Sequence, residues 1–122
     1  MTDQQAAWTI EWYQTQSGGR PIAQFLARLD GRDRDEAAAL LKLLREWGNQ
    51  MREPRSQALG GGLFELRGHQ VRMFYVFRPG HRVVVLDGVI KKQDKIPATV
   101  LKLVRSYQRD LERRDRVQRQ GP

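Results

Sequence analysis

Apolar residues in this chain recur with two different periods. In "WTIEWYQ", Trp8, Ile10 and Trp12 alternate with Thr9, Glu11 and Tyr13, which predicts a strand. Ser17–Gly19 is a turn, and Pro21 suits the first position of a helix. Ile22, Phe25, Leu26 and Leu29 then follow helical spacing, so a short helix should stop near Gly31. "DRDEAAALLKLLREWG" predicts a longer helix, with Ala37, Leu40, Leu41, Leu44 and Trp47 on one stripe. Asp33 and Glu36 have capping-box spacing at its start, and Gly48 falls just past its end. The short link at Gly31 should fold the two helices into an antiparallel hairpin.

"NQMREPRSQALGGG" has the composition of a loop. The run "LFELRGHQVRMFYVFRPGHRVVVLDGVIKK" predicts three strands, joined by tight turns at Gly68-His69 and at Pro79-Gly80-His81. After Pro97, Val100, Val104, Tyr107 and Leu111 form a helical stripe with Leu103 beside it. From about Arg114 the chain is charged and amide-rich, and fraying is expected there. The order β-α-α-β-β-β-α makes an α+β fold, a mainly antiparallel sheet packed against helices, with residues 1–122 as one domain.

With Gly68-His69 as a two-residue turn, Arg67 faces Gln70, Leu66 faces Val71, Glu65 faces Arg72 and Phe64 faces Met73. One face then carries Phe64, Leu66, Val71, Met73, Tyr75 and Phe77, a core set. The other carries Glu65, Arg67, Gln70, Arg72 and Phe74. Two arginines and a ring suit RNA, because guanidinium forks match phosphate oxygens and a ring stacks on a base. The plainer alternative is a Glu65–Arg72 cross-strand ion pair with Phe74 covered by the last helix.

Charge shifts the balance between these alternatives. The net charge is +8, and all of it lies in the second half: residues 1–62 carry eight basic and eight acidic residues, residues 63–122 fourteen and six. Such asymmetry points to a polyanionic partner. The last predicted strand runs into Lys91, Lys92 and Lys95, and its end should lie beside Arg67 and Arg72. Collecting five cations at one end of a sheet suits anion binding better than it suits the solvation of a strand end.

The blocks "GLFELRGHQVRMFYVF" and "VLDGVIKKQDKIP" resemble the RelE/HigB toxins of bacterial type II toxin–antitoxin systems, in particular the phage-derived HigB branch. The family's "LxELR" corresponds to Leu63–Arg67, its "YRxFY" to Val71–Tyr75, and its lysine block to Val89–Pro97. The likeness covers roughly residues 8 to 111. It implies a microbial-RNase-like fold and a metal-independent, cofactor-free endoribonuclease that cuts mRNA, usually in the ribosomal A site. It also implies a cognate antitoxin, usually a helix-turn-helix protein. Arg67 and Arg72 match the arginines that act on the scissile phosphate. Lys91, Lys92 and Lys95 match the block that holds the RNA. Glu65 stands where some members carry lysine, and Val71 replaces the first aromatic of its block. The superfamily also contains ParE toxins, which poison DNA gyrase through protein contacts.

Metal-free RNA cleavage needs a base for the 2′-hydroxyl, cations at the phosphate and an acid for the leaving oxygen. The candidates are Arg67 and Arg72 as a phosphate clamp, with Glu65 or a lysine such as Lys91 as base. His69 is a possible acid, Phe74 a stacking ring, and Lys92 and Lys95 grip the RNA. A basic binding module without chemistry is the third alternative. The absence of cysteine removes thiolate zinc sites and disulfides, and "LGGGLFE" lacks the lysine and hydroxyl of a phosphate loop. No secretory signal or membrane-spanning run is present, so the cytoplasm is the expected compartment.

Overall fold

The run "VRMFYVFR" is apolar at odd and even positions alike, and a strand of that kind needs cover on both of its faces. A computed structural model, which describes residues 7–92 and 95–119, provides that cover. The chain forms β1 (Thr9–Trp12), α1 (Pro21–Arg28), α2 (Gly31–Trp47), β2 (Ser56–Gly60), β3 (Leu63–Arg67), β4 (Val71–Arg78), β5 (Arg82–Ile90) and α3 (Ala98–Arg119). The five strands lie in the order β1-β5-β4-β3-β2. β1 runs parallel to β5, and every other pairing is antiparallel. The fold is α+β, as the sequence predicts.

One face of the sheet packs on α1 and α2. Ile22, Phe25, Ala37, Leu40 and Leu44 meet Leu66, Val71, Met73, Tyr75, Val83 and Val85 there. The opposite face packs on α3, where Val104 and Leu111 meet Leu63, Phe74, Val76, Val84 and Leu86. The stripes predicted for α2 and α3 are therefore the buried ones. Trp47 departs from its stripe and is 52% exposed, because Trp8 fills the space at that end of α2 and lies against Gly48. The last helix runs on to Arg119, past the point where fraying was expected. Residues 120–122 lie outside the described residues.

Three further differences have physical causes. Residues 56–60 form an edge strand inside the stretch that reads as a loop. Their apolar pattern is weak because their support comes from α3: Arg105 donates to Leu59 O and Gly60 O at 2.8 Å, and Gln108 to Gly61 O at 2.6 Å. The β3–β4 register is also shifted by two residues from the expected one. Arg67 pairs with Arg72, Leu66 with Met73, Glu65 with Phe74 and Phe64 with Tyr75. An even shift leaves every side chain on its expected face. Finally, the Asp33–Glu36 capping box does not form. The helix begins at Gly31, Asp30 takes the N-cap without a side-chain bond, and the Glu36 carboxylate reaches the β3–β4 turn instead.

α3 is held over the sheet by a buried polar contact. The Tyr13 hydroxyl donates to Asp110 Oδ2 at 2.6 Å, while Arg113 and Arg114 pair with the same carboxylate at 2.6 and 2.5 Å. Burial raises the Asp110 carboxyl, but the tyrosine and the two arginines outweigh it and hold the group below its ordinary 3.8. An acid lowered in the folded state stabilises the fold above its unfolded value, and that contribution is lost as pH falls through the lower folded value. Asp110→Asn should therefore lower the melting temperature at neutral pH and flatten its fall below about pH 4. Thermal melts across that range check this; parallel pH profiles for the two proteins would contradict it.

Candidate nucleic-acid interface

Residues paired across neighbouring strands project to the same face. Arg67 pairs with Arg72, and Arg72 with Val89, so one corner of the α3-side face collects Glu65, Arg67, Arg72 and Val89. Asp87 pairs with Phe74 and belongs to this face too, two residues along β5 from Val89.

At the centre of the corner is a carboxylate between two guanidinium groups. Glu65 Oε1 lies 3.5 Å from Arg67 Nε, and Oε2 lies 3.4 Å from Arg72 Nε. The side chains of Glu65 and Arg72 are 6% and 8% exposed, that of Arg67 32%. The Arg72 Nη1 also donates to the carbonyls of Gly68 and Val71. Burial pulls the Arg72 guanidinium below its ordinary value, Glu65 draws it back up, and Arg67 opposes that. Arg67 is thus the arginine that solvent reaches, and Arg72 is the buried one.

The lysine block joins this corner through the backbone. Lys91 N donates to Gln70 O in the turn at 2.7 Å. Lys91 is partly buried, while Lys92, Lys95 and His69 are exposed. Gln93 and Asp94 of the same block lie outside the described residues. The structure therefore brings Arg67, Glu65 and Arg72 into one cluster and ties the Lys91 backbone to the adjoining turn. His69 lies in that turn, where its charge acts on Glu36 of α2. The structure removes Phe74 from the surface: this ring is 0% exposed and packs in the α3-side core, so it has no face free for a base.

Sequence reasoning passed over two acids. Asp87 is half-buried, and burial raises its carboxyl, with the Gly88 amide and Arg28 acting in the other direction. Its charge reaches Tyr107 on α3, whose phenol is raised first by burial and then by Asp87. A carboxylate with raised proton affinity on the face of a cation cluster is a candidate for proton transfer. The only sequence signal for it is a lone acid within an apolar strand. Glu36, the second, accepts from three amides of the β3–β4 turn, and only its mismatch with the observed helix start draws attention to it.

Among the described residues, no cluster of histidine and acidic side chains could hold a metal ion, and no helix is long and apolar enough to cross a membrane. A family model described as phage-derived protein Gp49-like (DUF891) matches residues 24–108, a span that includes the whole corner. No curated protein matches the chain.

Proposed function

Since the chain belongs to the Gp49-like family, which falls within the RelE/HigB-like group of toxin–antitoxin toxins, we propose that it is a metal-independent endoribonuclease toxin that cuts mRNA and is neutralised by a cognate antitoxin. The observation that carries this reading is the Arg67–Glu65–Arg72 cluster, with Lys91 tied to the same turn. One carboxylate among these cations leaves net positive charge at a rigid sheet corner. That is the electrostatic requirement for a phosphate whose charge grows in the transition state.

In this mechanism Arg67 contacts the scissile phosphate, and Arg72 adds charge from beneath. Glu65 orients both arginines and does not serve as the base expected of it, because both its oxygens face arginine Nε atoms. Asp87 takes the proton of the 2′-hydroxyl. The 2′-oxygen attacks phosphorus, the bond to the 5′-oxygen breaks, and His69 supplies the proton to that leaving oxygen. The products are a 2′,3′-cyclic phosphate and a 5′-hydroxyl. Lys91, Lys92 and Lys95 hold the backbone, and the translating ribosome is the expected setting.

Induction in a bacterial host, with primer extension on abundant transcripts, tests this reading. Cuts inside translated frames are expected. With purified protein, Arg67→Ala should lower the cleavage rate by about 10²-fold with the melting temperature nearly unchanged. Growth arrest with intact transcripts would overturn the nuclease reading and favour a target such as gyrase. Cleavage unaffected by Arg67→Ala would remove this residue from the site.

A further inference from the structure

Glu36 lies on α2, on the opposite side of the sheet from the arginine cluster, yet its carboxylate governs the turn that builds that cluster. Its Oε2 accepts from His69 N at 2.7 Å, and its Oε1 accepts from Gln70 N at 3.1 Å and Val71 N at 2.8 Å. Three successive amides converge on one side chain more than thirty residues away in sequence. Gly68 allows the approach: a Cβ there would stand 2.6 Å from Glu36 Cδ.

A trans peptide unit is planar, with its N–H and C=O pointing in opposite directions. Fixing one end of the unit therefore aims the other. The His69 N–H shares a unit with the Gly68 carbonyl, and that carbonyl accepts from Arg72 Nη1. The Val71 N–H shares a unit with the Gln70 carbonyl, and that carbonyl accepts from Lys91 N. One carboxylate thus sets two carbonyls, one aligned on the buried arginine and one on the start of the lysine block. Bonds from amides to a charged acceptor are roughly twice as strong as neutral ones. Burial raises the Glu36 carboxyl, yet the three amides, with the nearby His69 charge, outweigh it and hold the group below its ordinary 4.5, so it is ionised at neutral pH.

We infer that Glu36 is a positioning residue of the RNA site: by gripping the peptide units Gly68–His69 and Gln70–Val71 it orients Arg72 and the lysine block without touching RNA. This rests on the nuclease reading above for its consequence in catalysis, and on the turn geometry for the positioning itself. Glutamine keeps one acceptor oxygen but turns an N–H donor toward an N–H, so Glu36→Gln should release at least one of the two units.

The test compares wild type with Glu36→Gln in three measurements: thermal unfolding, single-turnover cleavage of an RNA oligonucleotide against affinity for its 2′-deoxy analogue, and the NMR resonances of Arg72 Nε and the Lys91 amide. The variant should remain folded at the assay temperature. Its cleavage rate should fall roughly 10²-fold, since small misplacements of a reacting geometry cost about that much. Affinity for the uncleavable analogue should fall by a smaller factor than the cleavage rate, and an equal fall would overturn a positioning role in the chemical step. The Arg72 and Lys91 resonances should move. Unmoved resonances, or a rate loss accounted for by the unfolded fraction, would overturn the inference. If Glu36→Gln does not fold, Gly68→Ala displaces the carboxylate from the other side and must move the same resonances. If wild type does not cleave RNA, the nuclease reading falls by itself, and the resonances alone decide whether Glu36 positions the corner.

Discussion

Phe74→Ala is expected to destabilise the protein by about 3–5 kcal/mol, the usual cost of emptying a phenylalanine site in a core that only partly collapses. The ring is fully buried at the centre of the α3-side core, with Leu63, Val76, Val84, Leu86 and Val104 in the same cluster. A fold of this size has ~5–15 kcal/mol to lose, so the variant should approach marginal stability. Chemical denaturation with the slope held fixed measures the loss. Under conditions where the variant stays folded, its affinity for RNA should match that of wild type. A stable variant with weakened RNA binding would contradict the burial and return the ring to the surface.

Glu65→Ala should cost a similar amount, about 3–5 kcal/mol, for a different reason. It removes the carboxylate that faces Arg72, whose side chain is 8% exposed, and leaves a guanidinium without its counter-charge. Breaking a buried pair is far more damaging than replacing it whole, since an apolar pair of matching volume is often neutral or stabilising. The double variant Glu65→Leu/Arg72→Met should therefore recover most of the stability lost in Glu65→Ala. Under the proposed nuclease mechanism it should not recover RNA cleavage, because the Arg72 charge is gone. Thermal melts of the three proteins, beside a cleavage assay, separate the two effects. A Glu65→Ala protein as stable as wild type would show that the carboxylate does not compensate Arg72.

Much of this arrangement was legible in the sequence because alternation is a strong signal. Alternation puts Phe64, Leu66, Val71, Met73, Tyr75 and Phe77 on the face they occupy even though the register is displaced, since a displacement of two preserves parity. The displacement itself was not legible. A short turn at Gly68-His69 would satisfy its amides locally, whereas the wider turn depends on an acceptor from α2. Phe74 and the arginines share one face, and the sequence cannot say how far the last helix extends over that face. The helix covers Phe74 and leaves Arg67 accessible. β2 was missed because α3 side chains hold it in place of an apolar pattern of its own. In each case the missing information was a contact between distant segments, and local periodicity does not carry it.

The parallel pairing of β1 with β5 affects how the chain is made. Thr9 aligns with Arg82, so β1 leaves the ribosome well before β5, the last strand of the sheet, and has no partner until then. The β3–β4–β5 meander needs only neighbouring residues and can form early, because local contacts close at little entropic cost. Assembly should therefore start from the segment that carries the cation cluster and finish at the N-terminal strand. A nascent chain halted before residue 82 would hold β1 and the apolar stripes of α1 and α2 without the strand that completes their core. Such chains are expected to be substrates for chaperones and proteases, so cellular abundance should respond to elongation rate across residues 63–90.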